Sequence, residues 1–266
     1  MCGRYAAARD RQELLEAFGV ERDESGGGLA PDYNVAPTKP VYAVFDRQPR
    51  DQVSDEAGEP EAQRQLRVLR WGLVPSWAKD VTIGNKLINA RLETVDSKPS
   101  FRRAFARRRC LLPADGYYEW YAGTGGTAQQ SSKRPPKQPF FIRPADGSVL
   151  AMAGLYEVWR DPSRTDDDPH AWLWSCTVIT TAARDGLGQI HDRMPMIVDR
   201  DRRAEWLDPS RTDAAELTAL LDPASADELE AYPVSRAVNN VRNNDPTLIQ
   251  PLPETDVTGD DSIALF

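Results

Sequence analysis

Cysteine is the second residue of the chain, in the opening string Met1-Cys2-Gly3-Arg4-Tyr5. Its small side chain is of the kind that initiator-methionine removal tolerates, so the mature chain is expected to begin at Cys2. Processing of that kind places an α-amine and a thiol on adjacent carbons. In unperturbed peptides the amine titrates near ~7.7–8.0 and the thiol near ~8.5, so both are partly available as nucleophiles at neutral pH. The amine of such a 1,2-aminothiol condenses with an aldehyde to an imine, and the thiol can then close on the same carbon as a five-membered thiazolidine. Alternatively, the amine serves as base for a thiol that attacks an amide. A cysteine with no chemical role is the remaining reading.

Few other residues compete for such work. The chain has three cysteines and two histidines. Cys110 and Cys176 lie in strand-like apolar runs and read as small core residues. An odd count without CxxC spacing gives neither a disulfide framework nor a zinc site, and no metal or cofactor is expected. His170, in Asp-Asp-Asp-Pro-His, reads as a solvated loop residue. Glu119 stands among Tyr117, Tyr118 and Trp120, where burial would raise its pKa toward that of an acid–base catalyst. On local sequence alone it is equally a strand glutamate in a structural ion pair, and His191 is equally a core histidine. Glu157 sits in a similar aromatic string and reads as structural.

The longer motifs are Tyr33-Asn-Val-Ala-Pro-Thr38, Trp71-Gly-Leu-Val-Pro-Ser-Trp77, Ile88-Asn-Ala-Arg-Leu-Glu-Thr94 and Gly116-Tyr-Tyr-Glu-Trp120. They continue with Gly154-Leu-Tyr-Glu-Val-Trp159, Ile190-His-Asp-Arg-Met-Pro-Met-Ile-Val198 and Val234-Ser-Arg-Ala-Val-Asn239. With the opening Met-Cys-Gly-Arg-Tyr, this ordered series resembles the SRAP family of SOS response-associated peptidases, also called abasic site processing proteins. Met-Cys-Gly alone also opens class II glutamine amidotransferases, but the downstream motifs do not resemble that class.

The resemblance implies a protein that binds single-stranded DNA at an abasic site and caps the sugar aldehyde with its N-terminal cysteine. It makes Cys2 the nucleophile, with Asn89, Glu119 and His191 completing the active site. Arg4, Arg91 and Arg193 would contact phosphates, Trp77 would lie beside the base stack, and Asn34, Thr180, Ser235 and Arg236 would line the same cleft. The chemistry of these residue types is coherent with those roles. Sugar ring opening and loss of water from a carbinolamine need a proton shuttle, which Glu119 can provide. His191 would steady a sugar hydroxyl or a developing charge. Asn89 offers a neutral donor and acceptor to orient the amine, and arginine forks suit phosphate. Trp77 is the expected stacking platform, and Trp71 is expected inside. The chain departs from some family members in reading Trp77-Ala78 where they have two consecutive tryptophans, and its Trp77-to-Asn89 loop is longer. The alternative function is an N-terminal-nucleophile cysteine peptidase or amidase using the same Cys2.

Charge does not oppose a nucleic-acid partner. The formal net charge is −8, yet residues 46–64, 160–168 and Pro253–Phe266 together carry −9 and leave the rest at +1. Local field outweighs total charge for a bound polyanion. Phe101–Arg109 holds five arginines with Phe101, Ala104 and Phe105 on a helical stripe, which reads as an amphipathic basic helix or as a merely solvated face. Composition permits DNA or RNA without requiring either.

The elements that must position these residues are many short strands with scattered helices. Helical patterning marks Arg9–Phe18, Arg200–Leu207 and Asp213–Leu221, the first closed by Gly19. Strands are expected at Val41–Phe45, Leu66–Leu73, Cys110–Leu112, Tyr117–Tyr121, Pro139–Arg143, Val149–Tyr156 and Trp172–Thr180. The expected architecture is a single α+β domain, residues 1–250, with a curved mixed or antiparallel sheet or open β-barrel-like core flanked by short helices. Loop insertions are expected at about 46–64, 122–138 and 160–169, and 251–266 reads as an acidic disordered tail. No apolar run approaches the ~20 residues that cross a bilayer, and the charged start leaves no room for a signal peptide. A cytoplasmic monomer, nucleoid-associated when bound to DNA, is expected.

Overall fold

The structure is a computed structural model that describes residues 2–48, 61–122, 137–165, 167–183, 187–221 and 228–253. Most of the expected insertions at 46–64 and 122–138, and the tail beyond 253, lie outside the described residues. Thirteen strands follow in chain order among the described residues. They are β1 (Tyr5–Ala7), β2 (Arg22–Glu24), β3 (Asp32–Val35), β4 (Pro40–Arg47), β5 (Gln63–Trp71) and β6 (Asn89–Arg91). Then come β7 (Arg109–Ala114), β8 (Gly116–Tyr121), β9 (Gln138–Pro144), β10 (Leu150–Arg160), β11 (Trp172–Ala182), β12 (Arg193–Pro195) and β13 (Leu229–Pro233). Short helices flank them: α1 (Arg11–Phe18), α2 (Arg102–Arg107), α3 (Leu187–Ile190), α4 (Arg203–Leu207) and α5 (Ala214–Ala219).

Five strands close into a ring. Neighbours β11, β10, β7, β4 and β5 pair in that order, and β5 returns to β11 through a parallel pairing of Arg70 with Ser175 and Trp71 with Cys176. The expected barrel-like core is therefore closed. Strand alternation sends successive side chains to opposite faces. On one face Val41, Ala43, Phe45, Leu69, Trp71, Cys110, Leu112, Met152, Tyr156, Cys176 and Val178 meet in one cluster. The alternate residues, including Val44, Leu66, Leu111, Ala153 and Ile179, pack against Leu14, Phe18, Phe105 and Trp206 of the helices. Helices do not fit inside a five-stranded ring, so the first cluster is the lumen and the second the outer face.

A second sheet, ordered β13-β9-β8-β1-β3, lies against the lumen cluster through Tyr5, Tyr117, Tyr121, Phe140 and Ile142. Its other face packs Tyr118, Phe141 and Val238. Tyr117 and Glu119 share one side of β8, so the same alternation that buries Tyr117 turns Glu119 inward.

Local signals explain the helix ends. Asp10 accepts the Glu13 amide at 2.9 Å as the N-cap of α1, and Gly19 closes it with φ 60°. The basic helix is shorter than its pattern predicts, because Arg109 opens β7 instead. The Arg109 guanidinium is buried and donates to the carbonyls of Phe105, Ala106, Trp206 and Asp208. It ties α2 and α4 to the barrel, while Arg102, Arg103 and Arg107 remain exposed. Among the described residues no helix is long and apolar enough to cross a membrane.

Candidate active site

Cys2 lies immediately before β1 and is wholly buried, at 0% exposure, in the lumen cluster. It is held there by Asn89, whose side-chain amide donates to the Cys2 carbonyl at 2.8 Å. Asn89 in turn is placed by β6, which runs parallel to β11 with Asn89 opposite Val178 and Arg91 opposite Thr180. The Asn89 Oδ1 is buried without a hydrogen-bond partner among the described residues. Such a group is costly unless something else meets it.

Glu119 projects from the middle of β8 and is 2% exposed. Burial, with the charge of Asp192 adding to it, pushes its carboxyl from the ordinary 4.5 up to about 7. His191 follows α3, with Nε2 at 4.0 Å from Glu119 Oε2. The Arg193 amide donates to His191 Nδ1 at 3.0 Å, which in the neutral ring leaves the proton on Nε2, facing Glu119. Asp192 Oδ1 also stands 2.9 Å from Nδ1 and would accept from it once the ring is protonated. Burial holds His191 below its ordinary pKa, so the neutral form is the one favoured at neutral pH.

The Cys2 thiol is raised well above its ordinary value, by burial first and by the charge of Glu119 second. The neutral thiol is therefore the resting form. Two buried hydroxyls near it, Tyr5 and Tyr117, have no hydrogen-bond partner among the described residues. In the sequence Tyr117 reads only as packing for Glu119, although its i, i+2 spacing on a strand puts it on the same side of β8.

The remaining candidates fall into separate groups. Arg4 is half-buried and donates to Asn34 Oδ1 at 2.7 Å and to the Val238 carbonyl at 2.9 Å, with its guanidinium 5.7 Å from the Trp120 ring centroid. Asn34 is fully buried and also donates to the carbonyls of Asn240 (3.0 Å) and Asn243 (2.9 Å), so it acts as a strut. Ser235 caps the short 3-10 helix Arg236–Asn239 by accepting from the Ala237 amide at 3.2 Å, and Arg236 is exposed at its start. These four residues are thus joined around Val238, on the far side of β1 and β8 from Glu119.

Arg91, Thr180 and Arg193 form another group through β6, β11 and β12. Arg91 is exposed. Arg193 forks onto Glu93 at 2.5 and 3.0 Å and donates to the Thr180 carbonyl at 2.6 Å, so its guanidinium is engaged within the protein. Trp77 is 57% exposed on the turn after β5, while Trp71 is fully buried. Ala78, next to Trp77, is fastened by Trp159 Nε1, which donates to the Ala78 carbonyl at 2.7 Å. Glu157 is buried and pairs with Arg108, in keeping with a structural glutamate. His170 is exposed, and Cys110 and Cys176 are buried free thiols. No cluster of residues suited to a metal ion is present among the described residues.

Comparison with known proteins places the chain among relatives of shared architecture. Residues 1–241 match the family described as SOS response associated peptidase (SRAP). Abasic site processing protein YoqW of Bacillus subtilis (strain 168) is 38% identical over 252 residues, covering 94% of this chain and 99% of that protein. Abasic site processing protein YedK of Escherichia coli (strain K12) is 32% identical, covering 95% of this chain and all of the relative. A solved structure of a protein from Bacteroides thetaiotaomicron superposes with a TM-score of 0.72 at 25% identity, covering 95% of this chain and 100% of that one.

Proposed function

Because the chain belongs to the SOS response associated peptidase family, we propose that it processes abasic sites in DNA, capturing the sugar aldehyde in single strands through Cys2 once Met1 is removed. The observation that carries this reading is the convergence of Asn89, Glu119 and His191 on the buried start of the chain.

The freed α-amine of Cys2 adds to C1′ of the ring-opened deoxyribose, giving a carbinolamine. Glu119, half protonated near pH 7, gives a proton to the departing hydroxyl, and water leaves as the imine forms. The thiol then adds to the imine carbon, and its proton ends on the ring nitrogen. Aldehyde and aminothiol thus become thiazolidine and water, with Glu119 regenerated. A thiol held neutral by burial suits this order, since the amine reacts first and the sulfur only closes the ring. Asn89 fixes the Cys2 carbonyl and so the direction of the amine. Neutral His191, with Nε2–H toward Glu119, is placed to hold a sugar hydroxyl and to steady the carboxylate form of Glu119.

Arg4, Arg91, Arg193 and Arg236 are the proposed phosphate contacts, with Trp77 as an exposed stacking surface and Ser235 at the approach; Asn34 and Thr180 are buried and act by holding Arg4 and Arg193. Arg193 has to exchange Glu93 for a phosphate to take that role. The deciding experiment mixes purified protein with abasic single-stranded DNA and scores a heat-stable shifted band on a denaturing gel. Wild type is expected to give the band and Cys2→Ala to lose it.

The family description favours a second reading, an N-terminal-nucleophile peptidase or amidase in which the same thiol attacks an amide carbonyl. Release of ammonia from glutamine, or cleavage of a peptide, by the protein that fails to capture abasic DNA would select it.

A further inference from the structure

Arg193 is fastened twice, and only one of the fastenings belongs to the framework. Its backbone lies in β12 opposite Ala182 of β11, and its amide donates to His191 Nδ1 at 3.0 Å. Its Nη2 donates to the Thr180 carbonyl at 2.6 Å and approaches the Thr180 hydroxyl at 3.3 Å. Thr180 is itself buried in β11. These contacts place the guanidinium without help from an acid, and the side chain is only 13% exposed.

Glu93 supplies the second fastening. Its two carboxylate oxygens accept from Nη1 at 2.5 Å and from Nη2 at 3.0 Å, a bidentate pair. In the same geometry an arginine takes a phosphate. Glu93 is the movable partner of the two, with its side chain 50% exposed on the short 3-10 turn Leu92–Thr94 that follows β6. The hydrogen bonds from Arg193 first, and then the charge of exposed Arg91, hold the Glu93 carboxyl below its ordinary pKa, so it is a carboxylate at neutral pH. An ion pair with one partner half in water adds little to stability, which argues against a mere strut. The carboxylate instead fills the one fork face of Arg193 that a strand phosphate needs.

We propose that Glu93 is an internal stand-in for a strand phosphate: it competes for the Arg193 fork, swings into water when DNA binds, and so sets how tightly the protein holds a single strand. The exchange breaks one carboxylate–guanidinium pair and makes one phosphate–guanidinium pair, with no covalent bond changed. Its cost is the same for damaged and intact strands. Glu93 therefore loosens the hold on undamaged DNA and leaves selection of the lesion to the chemistry at Cys2. This role for Glu93 depends on Arg193 being a phosphate contact, as in the function proposed above.

The test titrates full-length protein into a labelled, lesion-free dT20 and follows fluorescence anisotropy over a range of salt concentrations. Glu93→Gln keeps the size of the side chain and removes its charge. It should tighten binding about two- to fivefold at low salt, the range that exposed ion pairs span. The gain should shrink as salt rises, because salt screens the competing Glu93–Arg193 pair of the wild type along with the phosphate contacts. In an Arg193→Ala background, where Arg91 still meets the strand, the gain from Glu93→Gln should largely disappear. Weaker or unchanged binding by Glu93→Gln overturns the proposal, the former by making Glu93 a strut for Arg193. An equal gain with and without Arg193 also overturns it, since Glu93 would then be a general repulsive charge. So does failure of wild type and Glu93→Gln alike to bind dT20. Capture of abasic DNA is scored separately on a denaturing gel: a missing wild-type band counts against the Cys2 chemistry, while dT20 affinity alone judges Glu93.

Discussion

Glu119 and His191 face one another at 4.0 Å beside a buried Cys2, one a carboxyl raised by burial and the other an imidazole lowered by it. Burial disfavours the charged form of both, so near pH 7 the imidazole rests neutral with Nε2–H toward Glu119, while the carboxyl is divided between acid and carboxylate and can give or take a proton.

Glu119→Gln keeps the shape of the side chain but removes the exchangeable proton. Single-turnover capture of abasic DNA should slow by at least about 100-fold, the lower end of general acid–base contributions. Binding of the same strand, followed by anisotropy, should stay within about twofold. A loss confined to binding would contradict the proton-transfer role.

The same carboxyl gives a stability signature. Its folded pKa of about 7 lies above the ordinary 4.5, so the folded protein holds a proton that the unfolded chain releases in that window. The associated stability is fully present below about pH 4.5 and is lost as pH rises to about 7. At 1.36 kcal/mol per pKa unit it amounts to about 3 kcal/mol. Chemical denaturation of wild type across this range, compared with Glu119→Gln, should show the variant losing less stability with rising pH. Parallel curves would place the Glu119 pKa near its ordinary value.

Much of this was legible in the sequence, and for identifiable reasons. The strands at Tyr117–Tyr121 and Trp172–Thr180 are rich in aromatic and β-branched residues, and their boundaries fall within two residues of β8 and β11. The inside place of Trp71 and the outside place of Trp77 also follow the expected pattern. Closure of the barrel was not legible, because it depends on the parallel β5–β11 pairing between residues about a hundred positions apart. Arg109 shows a second limit. Helical periodicity put it on a basic outer face, but four backbone carbonyls at the ends of α2 and α4 recruit its guanidinium inward. The fork between Arg193 and Glu93 was equally hidden, since nothing in either local string pairs them.

Asn89→Ala removes the donor to the Cys2 carbonyl. A hydrogen bond of this kind contributes about 0.5–1.5 kcal/mol net, so the capture rate should fall roughly two- to twelvefold if orientation of the amine is its whole role. An unchanged rate would show that the chain start is held without it.

Arg91 is exposed at the end of β6, with Thr180 as its register partner. Arg91→Ala should weaken single-strand binding and flatten the log–log salt dependence by about 0.7, the value of one phosphate contact. An unchanged slope would move Arg91 out of the DNA path.

Gly72 and Gly84 cross backbone to backbone just before Asn89. A Cβ on Gly72, where φ is +122°, would lie 2.6 Å from the Gly84 carbonyl oxygen. Gly147, with φ +71°, meets nothing within 4 Å and reports the cost of backbone conformation alone, about 1–2 kcal/mol. Gly72→Ala should destabilise by clearly more than Gly147→Ala in thermal melts and should also slow capture, because it shifts the turn that delivers Asn89. Equal melting shifts would deny the crossing a structural role.

The most direct measurement is tandem mass spectrometry of the adduct formed with abasic single-stranded DNA, digested and mapped to a residue. Met1 should be absent, and the sugar should be joined to residue 2 with a mass equal to peptide plus sugar fragment less one water, surviving without reduction. A sugar found on a lysine, or an adduct formed while Met1 is still attached, would contradict ring closure by the amine and thiol of Cys2.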